Sequence, residues 1–128
     1  MDTEFLTIKQ VADATGLSEH TLRYYERIGL ILTINRNESG YRRYTSMDVD
    51  WINFLNKLRS TGMSIQQMIQ YAELQRHGDS TLPQRLEILK THRCQVQARI
   101  DELGEHMKTL NWKVEVYSEL LEKSADLC

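Results

Sequence analysis

Apolar positions recur along this chain at helical spacing, cut into segments by caps and glycines. Ile8, Val11 and Ala12 stand at i, i+3 and i+4, one face of a short helix. Thr7 can cap it by accepting a first-turn N–H, and Gly16 can end it in the left-handed conformation. Ser18 opens a second helix in which Leu22, Tyr25 and Ile28 can face inward, and Gly29 stops it. Two short helices joined by about three residues with a glycine predict a helix-turn-helix, over about 9–28.

The next stretch changes character. Asn35-Arg36-Asn37-Glu38-Ser39-Gly40 is a run of turn formers, flanked by Ile31, Leu32 and Ile34 and by Tyr41 and Tyr44. That pattern predicts a hairpin, a wing over about 31–45. A third helix is expected from Ser46 to Thr61, with Ser46 as cap, Asp48 and Asp50 at its positive end, and Val49, Ile52 and Leu55 among its apolar positions. Gly62 ends it. Ser64 caps a fourth helix to about Arg76, with Ile65, Met68, Ile69 and Ala72 spaced for burial. Gly78-Asp79-Ser80-Thr81 marks a boundary, and Pro83 follows where a first-turn proline is tolerated.

The last helix carries the most regular pattern. Leu82, Leu86, Leu89, Arg93, Val96, Ile100, Leu103, Met107, Leu110, Val114, Tyr117 and Leu121 alternate by four and three without a break. That is the seam of a coiled coil, about 60 Å long at 1.5 Å per residue. Nothing else in the chain is long enough to cover it, so a second copy is the economical partner. The predicted dimerisation residues are Leu86, Leu89, Val96, Ile100, Leu103, Met107, Leu110, Val114, Tyr117 and Leu121. Arg93 interrupts the seam and can set register, and Gly104 permits a close approach or a bend. The charges flanking the seam do not decide between parallel and antiparallel pairing. The expected organisation is a winged helix-turn-helix domain at 1–77, a coil at 82–121 and a short tail at 122–128.

Composition narrows the function. The chain has 128 residues, a single proline and a formal net charge of −2. Such a length suits one small domain with a helical appendage. No run approaches the roughly 18 apolar residues of a membrane span. Met1-Asp2-Thr3-Glu4 lacks the basic start of a signal peptide, which predicts a cytoplasmic protein. The weakly acidic total hides a split. Arg23, Arg27, Arg36, Arg42 and Arg43 face only Glu26 and Glu38, leaving +3 across 25 residues, whereas the chain from Gly78 onward carries −2. A basic, aromatic-rich segment of this kind is a plausible nucleic-acid footprint. Enzyme chemistry lacks its parts: no Gly-x-Gly cradles a phosphate, and His20, His77, His92 and His106 are scattered without nucleophile partners.

The segment Thr21-Leu22-Arg23-Tyr24-Tyr25-Glu26-Arg27-Ile28-Gly29-Leu30-Ile31 resembles the recognition-helix signature of the MerR family of bacterial transcription regulators. Gly40-Tyr41-Arg42-Arg43-Tyr44 is similar to that family's wing, and the long helix after about residue 80 looks like its dimerisation coil. The resemblance implies a mainly α fold, a winged helix-turn-helix followed by a long antiparallel dimerisation helix. It further implies a homodimer on double-stranded promoter DNA that bends and undertwists an overlong spacer, and so reaches RNA polymerase indirectly. The residue types suit that reading. Arg23 on an exposed helix face can pair with guanine. Ser18, Thr21 and Tyr24 can donate hydroxyl bonds to phosphate, with His20 and Arg27 as backbone neighbours. Arg42 and Tyr44 on the wing can reach flanking phosphates, with Arg43 beside them, and Tyr41 divides evenly between packing and DNA. Tyr25 lies on the core side.

The sensing end is less defined. The fourth helix and Asp50-Trp51-Ile52-Asn53-Phe54-Leu55 look most like the aldehyde- and thiol-stress-sensing group, yet helix three holds no cysteine and Lys57 stands in that region. Cys94 is a candidate thiol sensor. Cys94 and Cys128, 34 residues apart, make a poor metal site within one chain, although across an antiparallel dimer they could approach. The seven residues after Leu121 hold no paired-cysteine loop or ligand domain. No cofactor, metal or membrane partner is expected, and the effector is not named by the sequence. The competing reading is a coiled-coil interaction module whose winged-helix part meets protein rather than DNA, and Arg23 and Arg42 discriminate the two.

Overall fold

The computed structural model describes residues 5–31, 35–36, 38–40 and 42–126, without the side chains of 35, 36, 42 and 124–126. In chain order these form α1 (Ile8–Thr15), α2 (Glu19–Arg27), β1 (Asn35–Arg36), β2 (Arg42–Arg43), α3 (Ser46–Ser60), α4 (Ile65–Arg76), a 3₁₀ turn (Gly78–Thr81) and α5 (Leu82–Asp126). No helix among the described residues is long and apolar enough to cross a membrane. The chain divides into two units, Met1–Leu89 and Lys90–Cys128.

Local chemistry sets the helix ends in the first unit. Thr7 Oγ1 accepts from the Gln10 amide at 3.2 Å while Gln10 Oε1 accepts from the Thr7 amide at 2.8 Å, a reciprocal cap for α1. Gly16 closes α1 at φ +76, and its amide donates to the Ala12 carbonyl. The cap of α3 is Thr45, not Ser46. Thr45 Oγ1 accepts from the Asp48 amide, and Asp48 Oδ2 accepts from the Thr45 amide at 2.8 Å. An aspartate three positions after a threonine completes a box, which Ser46 with Val49 cannot do. Ser64 and Gln67 form the same box for α4.

The wing hairpin is antiparallel, with Asn35 opposite Arg43 and Arg36 opposite Arg42. Its first strand therefore lies inside the predicted turn cluster, and its second begins just after it. Leu32, Ile34 and Tyr41 lie outside the described residues. A further pairing extends the wing. Leu6 and Tyr44 exchange two backbone hydrogen bonds, of 2.7 and 2.9 Å, so Leu6 pairs with the residue that follows the second strand.

All the α-helices of this unit send side chains to one core. Val11, Leu22, Tyr25, Leu30, Tyr44, Ile52, Leu55, Met68 and Ala72 are completely buried. Each large apolar side chain so placed stabilises the fold by roughly 1.5–3 kcal/mol. Ile88 and Leu89, in the first turns of α5, are half-buried against this core. The first unit thus extends to Leu89, past the expected boundary at 77, and Leu89 packs partly against its core. Arg85 also belongs here. It is buried and donates to Thr81 Oγ1, Gln75 Oε1 and the Gly78 carbonyl.

In the second unit α5 continues to Asp126, beyond the predicted end at 121. Ile100, Leu103, Met107, Leu110, Val114, Tyr117 and Leu121 are exposed in the single chain, and Val96 is half-buried. Trp112 is exposed away from that seam and Leu120 is exposed beside it, and Lys113 Nζ lies 5.0 Å from the Trp112 ring. Gly104 has open space where a Cβ would sit, so the single chain itself makes no use of its small size.

Candidate nucleic-acid interface

The outward face of α2 follows from what its inward face buries. Leu22 and Tyr25 are fully buried, so at 100° per residue His20, Arg23, Tyr24 and Arg27 share the opposite side. All four are exposed. Tyr25 is further held by Arg59 of α3, whose Nη1 donates to its hydroxyl at 2.6 Å. The reading face is thereby fixed from behind by a core phenol.

Contacts along that face show what each side chain is free to do. Arg23 Nη2 is 3.4 Å from Glu19 Oε1, one turn earlier. Both side chains are nearly half exposed, so the pair is worth little and gives way readily to a stronger anion. Arg27 lies over the Tyr24 ring at 5.7 Å, which steadies both. Ser18 is committed to the helix start: its Oγ accepts from the Thr21 amide at 3.0 Å and donates to Thr21 Oγ1 at 2.9 Å. Ser18 thus spends its proton on Thr21, and the outgoing donor at this end is the Thr21 hydroxyl.

The wing divides differently from the sequence expectation. Tyr44 is completely buried and its backbone is paired with Leu6, so its ring serves the core and not a phosphate. Arg43 is half-buried, with its guanidinium 4.3 Å over the Phe5 ring. Its Nε is buried without a hydrogen bond, which ties the side chain to packing as much as to solvent. Arg42 sits in the second strand with Arg36 across from it, so two cationic residue types occupy facing positions. Like charges directly opposite disfavour an isolated hairpin. Tyr41 lies outside the described residues.

Several contributors were not foreseen: Phe5 and Leu6 beside the wing, Arg59 behind Tyr25, and Arg36 facing Arg42. Phe5-Leu6 directly before a helix cap is a short apolar pair suited to a strand, and that was the available signal. Among the described residues no three His, Cys, Asp or Glu side chains gather to hold a metal. Cys94 is a free, exposed thiol on α5. Cys128 is outside the described residues.

The helix-turn-helix with its wing matches the family model described as MerR HTH family regulatory protein over residues 6–75. A second model, described as MerR, DNA binding, matches residues 49–112. Among curated relatives, an uncharacterized HTH-type transcriptional regulator of Haemophilus influenzae is 34% identical over 87% of this chain and 82% of its own length. The HTH-type transcriptional regulator AdhR of Bacillus subtilis is 44% identical over 69% of this chain and 63% of its own. Among solved structures, a MerR family transcriptional regulator from Listeria monocytogenes is 41% identical with a TM-score of 0.89, covering 95% of this chain and 93% of that one. HiNmlR, a MerR family regulator lacking the sensor domain, was solved bound to promoter DNA. It is 33% identical with a TM-score of 0.84, covering 91% of this chain and 92% of its own. With its recognition helix, wing and long C-terminal helix in place, this chain belongs to the MerR family of DNA-binding transcription regulators.

Proposed function

We propose that the chain acts as a homodimer on promoter DNA, with α2 in the major groove and the wing on the flanking backbone. The seam of α5 pairs antiparallel with that of a second copy and sets the two winged units on successive half-sites. The spacer is bent and undertwisted between them, so RNA polymerase is reached through the altered DNA rather than by a large protein contact. The observation that carries this reading is the joint exposure of His20, Arg23, Tyr24 and Arg27 on one face of α2, backed by a closed core. HiNmlR, whose structure includes promoter DNA, supports it by its likeness along nearly the whole chain.

In this assignment Arg23 reads a guanine edge, and Thr21, Tyr24, Arg27 and Arg42 fix the register on phosphates. Arg23→Ala is expected to weaken binding to a duplex selected from a random pool by about 1–3 kcal/mol, read by gel shift at fixed salt. Unchanged affinity would instead favour the reading in which the winged unit meets protein.

A further inference from the structure

The exit of the recognition helix is held by side chains from two other helices. α2 gives way to Gly29 at φ +88, and Leu30 beyond it is fully buried. Arg76, the last residue of α4, donates from Nη2 to the Gly29 carbonyl at 2.7 Å. Trp51 of α3 donates from Nε1 to the Leu30 carbonyl at 2.8 Å. Carbonyls at a helix C-terminus lack intrahelical donors, and a guanidinium there also meets the negative end of the helix dipole. The Arg76 group lies against the glycine itself, because a Cβ on Gly29 would come within 3.3 Å of Nη2.

The corner from which Arg76 reaches is itself clamped. Its neighbour Gln75 accepts from Arg85 Nη1 at 2.6 Å, and Arg85 Nη2 donates to the Gly78 carbonyl at 2.9 Å. Arg85 Nε donates to Thr81 Oγ1, whose hydroxyl donates to the Leu74 carbonyl at 2.6 Å. Burial pushes the nearby Tyr71 phenol above its ordinary value, with the Arg85 charge working the other way. The first turn of α5, the end of α4 and the exit of α2 are therefore joined by consecutive charge-assisted bonds, all within one compact unit.

We propose that Arg76 is a positioning residue for DNA reading: by holding the Gly29 carbonyl it sets the pose of α2, and the Arg85 clamp ties that hold to the start of the dimerisation helix. The proposal rests on α2 being the reading helix. Arg76 is exposed, so the rival role is a direct phosphate contact. The two roles differ in their dependence on salt. A lost phosphate contact lowers the slope of log affinity against log salt by about one and weakens all duplexes alike. A lost positioning bond leaves the slope and weakens the matched duplex selectively.

The test uses the full chain, a duplex selected from a random pool by the unaltered protein, and an unrelated duplex, titrated at several salt concentrations. Arg76→Met is expected to weaken the selected duplex about tenfold, the size of one charge-assisted hydrogen bond, with the unrelated duplex and the salt slope nearly unchanged. Arg76→Lys recovers part of the loss. Trp51→Phe, which keeps a ring but removes the donor to Leu30, shifts affinity in the same direction and keeps the inference testable should Arg76→Met fold poorly. A fall in slope with equal weakening of both duplexes overturns the proposal. Full affinity in both the Arg76→Met and Trp51→Phe chains overturns it as well. Arg23→Ala runs beside them. If that variant also binds normally, the reading of α2 itself has failed, whereas a loss in Arg23→Ala alone places the failure in Arg76.

Discussion

Residues 1–89 hide Val11, Leu22, Ile52 and Leu55 completely, whereas in residues 90–128 Leu110 and Val114 stand 59% and 64% exposed. Both regions are written in the same helical periodicity. The first is cut by caps and left-handed glycines into short helices, and these can turn their apolar faces toward each other. The second is a single uninterrupted helix from Lys90 to Asp126, and among the described residues its apolar side chains form one exposed stripe. A stripe of that kind reaches a buried state only in contact with another chain. The lesson is that the first unit closes its own core, whereas the second leaves its stripe open to the pairing proposed above.

The sharpest way to break this contrast is to charge the stripe. Leu110→Glu is expected to abolish dimerisation, since two copies of a buried leucine contribute roughly 3–6 kcal/mol per dimer. The first unit should keep its thermal transition. Sedimentation velocity and calorimetry read the two effects separately, and loss of both together would dissolve the distinction between the units. Leu55→Ala tests the other side. The residue is fully buried in the closed core, so a loss of about 2–5 kcal/mol in unfolding free energy is expected. Urea titration measures it, and a loss below 1 kcal/mol would argue against a well-packed core. The smallest effect belongs to a helix start. Thr45→Ala removes half of the Thr45–Asp48 box and is expected to cost about 1 kcal/mol, whereas Ser46→Ala should change little.

That last pair marks the limit of what the residues alone disclosed. The five helices, the glycine stops at 16 and 29, and the caps Thr7, Ser18 and Ser64 follow from local chemistry, and all were legible. Ser46 alone reads as a good cap, and only the partner three positions on, Asp48 for Thr45 against Val49 for Ser46, shows that Thr45 takes that place. That Leu89 packs partly on the core was not legible, because periodicity does not say which neighbours a face meets. Tyr44 was placed on DNA as a residue of the wing, but its ring is buried and its backbone pairs with Leu6, a contact about forty residues apart in sequence. The outward face of α2 was legible because Leu22 and Tyr25 fix it by helical geometry. Arg76, Trp51 and Arg59 were not, since nothing local indicates that a side chain bonds a carbonyl or a phenol dozens of positions away.

Sedimentation equilibrium of the unaltered chain at micromolar concentration, alone and with the selected duplex, tests the account most directly. The account predicts twice the mass of one chain in free solution, and two chains on each duplex. A single-chain mass at that concentration, with one chain per duplex, would contradict it.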